Sequence, residues 1–200
     1  MKILPFTRPS IGEQELQAVR EVLESGWITT GPKSLALEQA LADYIGGGVQ
    51  VRVFNSATSA LEASLLVAGI GPGDEVIVPA ISFVATANVV LRVGARPVFV
   101  DVDLHSRNLD ATAVAAALTP KTRAVIPVHF AGLAVDMNPL YSLAGEHDLL
   151  LLEDAAQAIG SEYKGRKIGA SGNPVCFSFH PNKNMTSICL LYTSPSPRDL

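Results

Sequence analysis

Three polar segments of this sequence contain residue types that can do chemistry, and each follows an apolar run. Asp154 ends the run LLLLED at 149–154, and Lys183 lies in SFHPNKN at 178–184. The segment NSATSAL at 55–61 places small hydroxyl residues in the first turn of a predicted helix. A carboxylate can hold a cation, a lysine of lowered pKa can attack a carbonyl group, and a helix N-terminus attracts anions. Phosphate would suit the helix start.

Each of these features also has an ordinary explanation. Asn55 or Ser56 could simply cap its helix, Asp154 could do the same where its strand ends, and Lys183 could be a solvated lysine. Their order favours the chemical interpretation, because the helix start, the acid and the lysine each follow a different predicted strand. The set suits pyridoxal phosphate (PLP), since a carboxylate keeps the pyridine nitrogen protonated and lets the ring accept electrons.

The elements that must position these residues form an alternating pattern. Short β-rich runs are separated by segments of helix length, which predicts a parallel sheet buried on both faces and built by right-handed crossovers. In such sheets, ligands bind beyond the carboxyl ends of the strands. A further helix is predicted to start after Asp154 and to carry Gln157. The predicted strands are VRVF at 51–54, EVIVP at 75–79, RPVFVDV at 96–102, RAVIPVHF at 123–130, LLLLED at 149–154 and VCFSF at 175–179.

Two helices are predicted before the first strand. Ser10 and Glu13 have the spacing of a capping box, and the apolar residues that follow recur at helical spacing, which predicts a helix over about 12–25. A second helix is predicted near 34–45, because three consecutive glycines follow it.

Composition excludes several classes of protein. The 200 residues carry a formal net charge of -4 and no basic run, so the electrostatic footprint of a nucleic-acid binder is absent. The two cysteines, Cys176 and Cys189, are too few for a disulfide framework and lack metal-ligand spacing, so no metal is expected and a reducing cytoplasm fits. Neither a signal peptide nor an apolar run long enough to span a membrane is present.

The sequence also resembles a known family over residues 5 to about 187. Seven segments carry this resemblance: SGWITTGP at 25–32, NSATSAL at 55–61, SFVATANVV at 82–90, PVFVDVD at 97–103, PVHFAG at 127–132, LLEDAAQAIG at 151–160 and SFHPNKNMT at 178–186. They resemble the nucleotide-sugar aminotransferases of PLP fold type I, often called the DegT family. The resemblance implies an α/β fold with a mainly parallel sheet flanked by helices, the large domain of these enzymes.

The resemblance also implies a role for each site residue. Lys183 would form the Schiff base with PLP, and Asp154 would pair with the pyridine nitrogen. Gln157 would reach the ring hydroxyl, and Phe83 would stack on the ring face. His129 and His180 would be structural or weakly supportive. The phosphate would be held by Thr58, Ser59 and Ser178.

The activity implied by the resemblance is amino transfer from glutamate to a keto group of a nucleotide-linked sugar. It implies a homodimer in the intact protein and a cytoplasmic location. A related branch of the family dehydrates sugars and carries histidine where this chain has Lys183, so lysine favours transamination. Sugar dehydration and a non-catalytic, PLP-binding regulatory role remain the alternatives.

The last residues depart from the family pattern. After SFHPNKNMT the family continues with an acidic residue and paired glycines, whereas this chain continues with SICLLYTSPSPRDL. Residues 1–187 are therefore expected to form an incomplete PLP-binding large domain. Residues 188–200 are expected to be a non-native or truncated tail, because they resemble translated sequencing-adapter sequence. A natural flexible terminus is the alternative, and the activity of the 200-residue chain by itself is left open.

Overall fold

A parallel sheet lies at the centre of the computed structural model, which describes residues 8–187. Its four main strands are β1 (Glu75–Pro79), β2 (Arg96–Val100), β3 (Thr122–Val125) and β4 (Leu150–Leu151). They lie in the order β2-β1-β3-β4, and every neighbouring pair is parallel. The carboxyl ends of these strands therefore meet at one edge of the sheet, as the sequence predicts.

Short strands continue this arrangement after β4. Strand β5 (Glu153–Asp154) pairs in parallel with β8 (Val175–Cys176), and an isolated bridge joins Val128 to Asp154. Between β5 and β8, β6 (Glu162–Tyr163) and β7 (Arg166–Lys167) form a small antiparallel hairpin. The bridge and the β5–β8 pair place the segments that follow β3, β5 and β8 at the same edge of the sheet.

Helices alternate with these strands. Among residues 8–187, no helix combines the length and the apolar character needed to cross a bilayer. The helices are α1 (Glu13–Glu24), α2 (Pro32–Ile45), α3 (Ala57–Val67), α4 (Ala85–Arg92), α5 (Ala111–Ala116) and α6 (Met137–His147), with a 3-10 turn at Phe130–Gly132.

The sheet is buried on both faces. Along β1, Val76 and Val78 pack in one apolar cluster with residues of α3 and α4, such as Leu65. Ile77, which points to the opposite face, packs in a second cluster with Leu140 of α6. Alternate residues of a strand point to opposite faces, so a strand covered on both sides is a continuous apolar run. This pattern confirms the predicted α/β fold with a mainly parallel sheet flanked by helices.

One predicted strand does not form. The residues at 51–54 pair with no strand among residues 8–187; they line a large cavity instead. A β-rich run becomes a strand only where another strand accepts its backbone hydrogen bonds. The other five predicted strands are present. Strand β1 has the predicted bounds, and the other four runs are only partly strand; the ladder of β3, for instance, ends at Val125, and Leu152 separates β4 from β5.

The predicted capping box at Ser10 and Glu13 is wrong. Helix α1 is capped at Gly12, whose backbone N–H donates to the Glu15 carboxylate at 2.7 Å. The glutamate at the third helical position thus satisfies the amide at the helix start, two residues later than predicted. Helix α2 begins at Pro32, a favourable first position for proline, and Gly46 follows its last residue as predicted.

The helix predicted after Asp154 is also absent. Residues 155–161 form consecutive turns, in which Ala158 N–H donates to the Ala155 carbonyl and Ser161 N–H donates to the Ala158 carbonyl. Gly160, at φ 86°, has a backbone conformation that a right-handed helix cannot contain. Residues 188–200, the predicted non-native or truncated tail, lie outside the described residues.

Candidate active site

A cavity of about 1130 Å³ opens at the carboxyl edge of the sheet. It lies beyond β5 and β8 and beside the start of α3, where the sequence predicts a ligand. Of the seven predicted cofactor-binding residues, Ser59 does not line this cavity. The six that do are Thr58, Phe83, Asp154, Gln157, Ser178 and Lys183.

Asp154 is the buried acid of this cavity. Its side chain is held by two donors: the Thr86 hydroxyl reaches Oδ2 at 2.8 Å, and the Ala156 N–H reaches Oδ1 at 3.1 Å. Burial raises the pKa of Asp154 above its ordinary value, and these two hydrogen bonds and the positive charge of Lys183 oppose that rise. A buried carboxylate with lone pairs left over is a suitable partner for a cationic N–H group.

Glu153, the preceding residue, has a different environment. It points to the opposite face of β5 and accepts hydrogen bonds from the Ser171 hydroxyl at 2.9 Å and the Tyr141 hydroxyl at 3.4 Å. Its third contact is with Nε2 of His129, at 3.0 Å. Val135 N–H donates to Nδ1 of this histidine, so Nε2 carries the proton and donates to Glu153. His129 and Glu153 are almost fully buried, so this pair is structural.

Two hydroxyl residues beside Asp154 have no assigned role in the sequence prediction. Thr86 is buried in the first turn of α4, and Ser82 lies in the loop that follows β1. Their hydroxyl oxygens are 2.6 Å apart. The sequence feature that could have indicated this contact is the spacing of four residues between Ser82 and Thr86, which brings two side chains together at a helix start.

Gln157 lies on the turn after Asp154 and is partly buried. Its side-chain Oε1 accepts a hydrogen bond from the Ala131 N–H at 2.8 Å. Ala131 has the left-handed conformation, with φ 52°, and Ser161 holds the next residue by donating to the Gly132 carbonyl at 2.6 Å. Because Oε1 is occupied by the backbone, the amide nitrogen of Gln157 is the group left to donate into the cavity.

The start of α3 supplies backbone donors. Ser56, rather than Asn55, is the N-cap, and its hydroxyl accepts from the Ser59 N–H at 3.0 Å. The N–H groups of Ala57 and Thr58, in the first turn, have no acceptor within the helix. Together with the helix dipole, they can bind an anion such as phosphate. The Ser59 hydroxyl is 2.9 Å from that of Ser56 and so belongs to the cap.

Lys183 lies on the loop that follows β8. The loop is shaped by the Lys183 N–H, which donates to the His180 carbonyl at 2.8 Å, and by the His180 ring, which contacts Asn182 at 2.7 Å. The amine of Lys183 makes no hydrogen bond or ion pair with any of residues 8–187. Such an amine is available to a ligand in the cavity.

Three further side chains complete the cavity wall. Phe83 is 69% exposed there, so an aromatic ring is open to a flat ligand. Ser178 lies on the Lys183 loop, and its Oγ accepts weakly from the His180 N–H at 3.4 Å. Cys176 is a buried free thiol, and burial raises its pKa to about 12. Among residues 8–187, no group of three or more acidic, histidine or cysteine side chains could hold a metal ion.

Comparison with known protein families identifies the family of this chain. Residues 9–188 match the DegT/DnrJ/EryC1/StrS aminotransferase family. The chain belongs to this family. The match covers every segment of the cavity wall, including the start of α3, the end of β5 and the loop that carries Lys183. The family resemblance read from the seven sequence segments is therefore confirmed.

Solved members with the same fold include sugar aminotransferases. A sugar aminotransferase of Streptococcus pneumoniae, solved in its PMP form, is 39% identical with a TM-score of 0.86, over 92% of this chain and 50% of that one. DesV of S. venezuelae, solved with a ketimine intermediate, is 42% identical with a TM-score of 0.84, over 86% and 46%. PseC of Helicobacter pylori, an aminotransferase of pseudoaminic acid biosynthesis, is 36% identical with a TM-score of 0.84, over 92% and 50%. This DegT-family chain thus spans about half the length of the solved structures that it matches.

Proposed function

We propose that this chain forms the cofactor-binding part of a PLP-dependent aminotransferase that moves an amino group from glutamate to a keto group of a nucleotide-linked sugar. The observation that carries the proposal is the single cavity lined by Lys183, the buried Asp154 and the start of α3. An amine, a carboxylate and an anion-binding helix start are the groups that PLP requires. Family membership and the sugar aminotransferases among the solved structures support the substrate class.

The residues present fit PLP one by one. Asp154 would hold the protonated pyridine nitrogen, and the free amide nitrogen of Gln157 would donate to the ring hydroxyl. Phe83 would stack on the ring. The phosphate would lie at the start of α3, held by Thr58 and Ser178, whereas the third predicted residue, Ser59, directs its hydroxyl to the N-cap. When bound, PLP supplies a ring that accepts the electron pair released at a substrate carbon.

Lys183 would act on protons once its amine is released from the cofactor. It would move a proton between the substrate α-carbon and the C4′ atom of the cofactor, which is general acid–base work worth about 10² to 10⁴-fold in rate. Its amine makes no hydrogen bond or ion pair with the described residues and lines the same cavity as Asp154, which suits this role. His180 is exposed on the same loop and is available for substrate contact.

We propose that residues 1–187 form the PLP-binding large domain and that the intact protein is a cytoplasmic homodimer. The apolar side chains of α1 support a partner surface: no residue of this helix is buried, and Leu16 and Leu23 are 57% and 64% exposed. The free thiol of Cys176 agrees with a reducing compartment.

The first half of the reaction tests the proposal. The 200-residue chain, loaded with PLP, is mixed with glutamate, and 2-oxoglutarate is measured by mass spectrometry. We expect one equivalent of 2-oxoglutarate per bound PLP, because the amino group moves to the cofactor. Lys183→Arg, which keeps the positive charge, should form less than a hundredth of that amount in the same time. PLP bound at the site with no 2-oxoglutarate formed would count against amino transfer and favour the regulatory role or the dehydratase.

A further inference from the structure

The two hydroxyl groups beside Asp154 form a directed chain. A hydroxyl group has one hydrogen to donate. Thr86 donates its hydrogen to Oδ2 of Asp154 at 2.8 Å, so the 2.6 Å contact between Thr86 and Ser82 must be donated by Ser82. Both hydrogens therefore point toward the carboxylate. Hydrogen bonds aligned in one direction strengthen one another.

We propose that the Ser82–Thr86 hydroxyl pair is a positioning device that keeps Asp154 ionised and turned toward the cavity, so that the carboxylate can bind the protonated pyridine nitrogen of PLP. The identity of the ligand rests on the proposed function, whereas the effect on Asp154 itself does not. Ser82 and Thr86 would act through Asp154 and would not touch the reacting atoms.

The geometry at Asp154 supports this role. Thr86 occupies one oxygen and the Ala156 N–H the other, which fixes the rotation of the carboxylate. Each oxygen keeps a lone pair for the cavity. The backbone is fixed too, since Asp154 N–H donates to the Pro127 carbonyl at 2.9 Å and the Asp154 carbonyl accepts from His129 N–H at 3.1 Å. Thr86 is thus the one side-chain donor among residues 8–187 that orients this carboxylate.

The charge balance around Asp154 explains why a donor is needed there. Burial favours the protonated acid, which could not bind a cationic N–H, and the Thr86 hydrogen bond is the largest opposing influence on the pKa. The titratable groups that face Asp154 are Lys183 on the loop after β8, His129 after β3 and Cys176 on β8. Burial raises the pKa of Cys176, so its thiol carries no charge, and Lys183 and His129 are the groups whose positive charge lowers the pKa of Asp154.

Three variants separate positioning from simple packing. Thr86→Val keeps the size and β-branching of the side chain and removes the hydroxyl. Thr86→Ser keeps the hydroxyl and removes the methyl group. Ser82→Ala leaves the Thr86 hydrogen bond in place and removes the donor behind it. If Thr86 served packing only, the serine variant would be the damaging one.

The titration of Asp154 is the decisive readout. The ¹³C shift of its carboxyl carbon is followed against pH in the PLP-free 200-residue chain and assigned with Asp154→Asn, with circular dichroism as the check on folding. We expect Thr86→Val to raise the pKa of Asp154, Ser82→Ala to raise it less and Thr86→Ser to leave it near that of the unmutated chain. Equal titration in all four proteins would overturn the proposal.

PLP affinity is measured on the same proteins by fluorescence titration. A hydrogen bond to a charged group is worth about 1.5 to 3 kcal/mol, so Thr86→Val should weaken PLP binding about 10-fold or more, with Thr86→Ser unaffected. Weakened binding in Thr86→Ser but not in Thr86→Val would also overturn the proposal. If the pKa of Asp154 moves as expected but even the unmutated chain fails to bind PLP, the positioning device stands and the proposed function fails.

Discussion

Cys176 illustrates how burial controls reactivity at the cavity wall. Its thiol is 5% exposed and contacts the Ser64 hydroxyl at 3.9 Å. Burial raises its pKa from 9.0 to about 12, so its thiolate fraction near neutral pH is about 1000-fold lower than that of a free cysteine. The thiol should therefore behave as a small apolar side chain, although it lies beside the proposed PLP site.

Thiol labelling tests this expectation. Cys189→Ser leaves Cys176 as the only cysteine of the chain. At pH 8, iodoacetamide should label Cys176 about 1000-fold more slowly in the folded protein than in guanidinium, because both accessibility and thiolate fraction are low. Equal rates in the two states, measured by mass spectrometry, would contradict the burial of Cys176.

The residues of the site were predictable from sequence to different degrees. Asp154 ends β5 and Lys183 lies on the loop after β8, so the order of the elements predicted that these two meet at one edge. Thr58 lies in the first turn of α3, which reaches the same cavity although the strand predicted before it does not form. Thr86 and Ser82 were not assigned, because their role depends on a contact 68 residues away along the chain, between Thr86 and Asp154. The contact between Glu153 and His129 was likewise not predictable, because it depends on the pairing of two distant chain segments and not on a local sequence pattern.

Helix α3 separates two residues that the sequence treats alike. Thr58 and Ser59 are both predicted to hold phosphate, but the Thr58 side chain lines the cavity whereas the Ser59 hydroxyl contacts the N-cap. Thr58→Ala should therefore weaken PLP binding by about 10-fold. Ser59→Ala should affect PLP binding less and should lower Tm slightly, by loosening the start of the helix.

PLP titration and thermal unfolding of both variants measure this difference. Ser142→Ala, on α6, is the matched control, because its hydroxyl donates to the Asn138 carbonyl of the same helix at 3.3 Å and the residue does not line the cavity. A larger loss of affinity in Ser59→Ala than in Thr58→Ala would reverse the assignment of the two residues.

Strand β1 is tied to its neighbours by Glu75. Its buried carboxylate accepts from Arg96 of β2 at 2.5 Å and from Thr119 at 2.8 Å. These hydrogen bonds hold the pKa of Glu75 below its usual 4.5. A carboxyl whose pKa is lowered by folding contributes stability that is present above pH 4.5 and is lost as the pH falls through the lower, folded value.

Glu75→Gln should therefore lower the free energy of unfolding at pH 7, and its difference from the unmutated chain should shrink as the pH falls below about 4.5. Urea unfolding at several pH values measures this difference. Glu146→Gln, an exposed control on α6, should change stability by less than about 0.5 kcal/mol at pH 7. A Glu75→Gln effect that is the same at pH 7 and pH 4 would mean that charge is not the cause.

For the molecule as a whole, the alternation of apolar runs and helical segments predicted the architecture. Five of the six predicted strands form, because each is flanked by a strand that can accept its hydrogen bonds. The run at 51–54 fails for a non-local reason, since β propensity cannot supply a missing partner. The bounds of α1 differ from the prediction by one residue at each end, and α2 begins two residues earlier than predicted, at Pro32.

We propose that elements far apart in the sequence assemble one PLP site around Lys183. The most direct test is to add PLP to the 200-residue chain, reduce with borohydride and map the modified lysine by mass spectrometry. We predict one PLP per chain on the peptide that contains Lys183, no adduct there in Lys183→Ala, and an unchanged adduct in Lys167→Ala, a lysine held by Tyr44 away from the cavity. A folded chain that carries no adduct, or carries it equally on other lysines, would show that Lys183 is not the lysine of a PLP site.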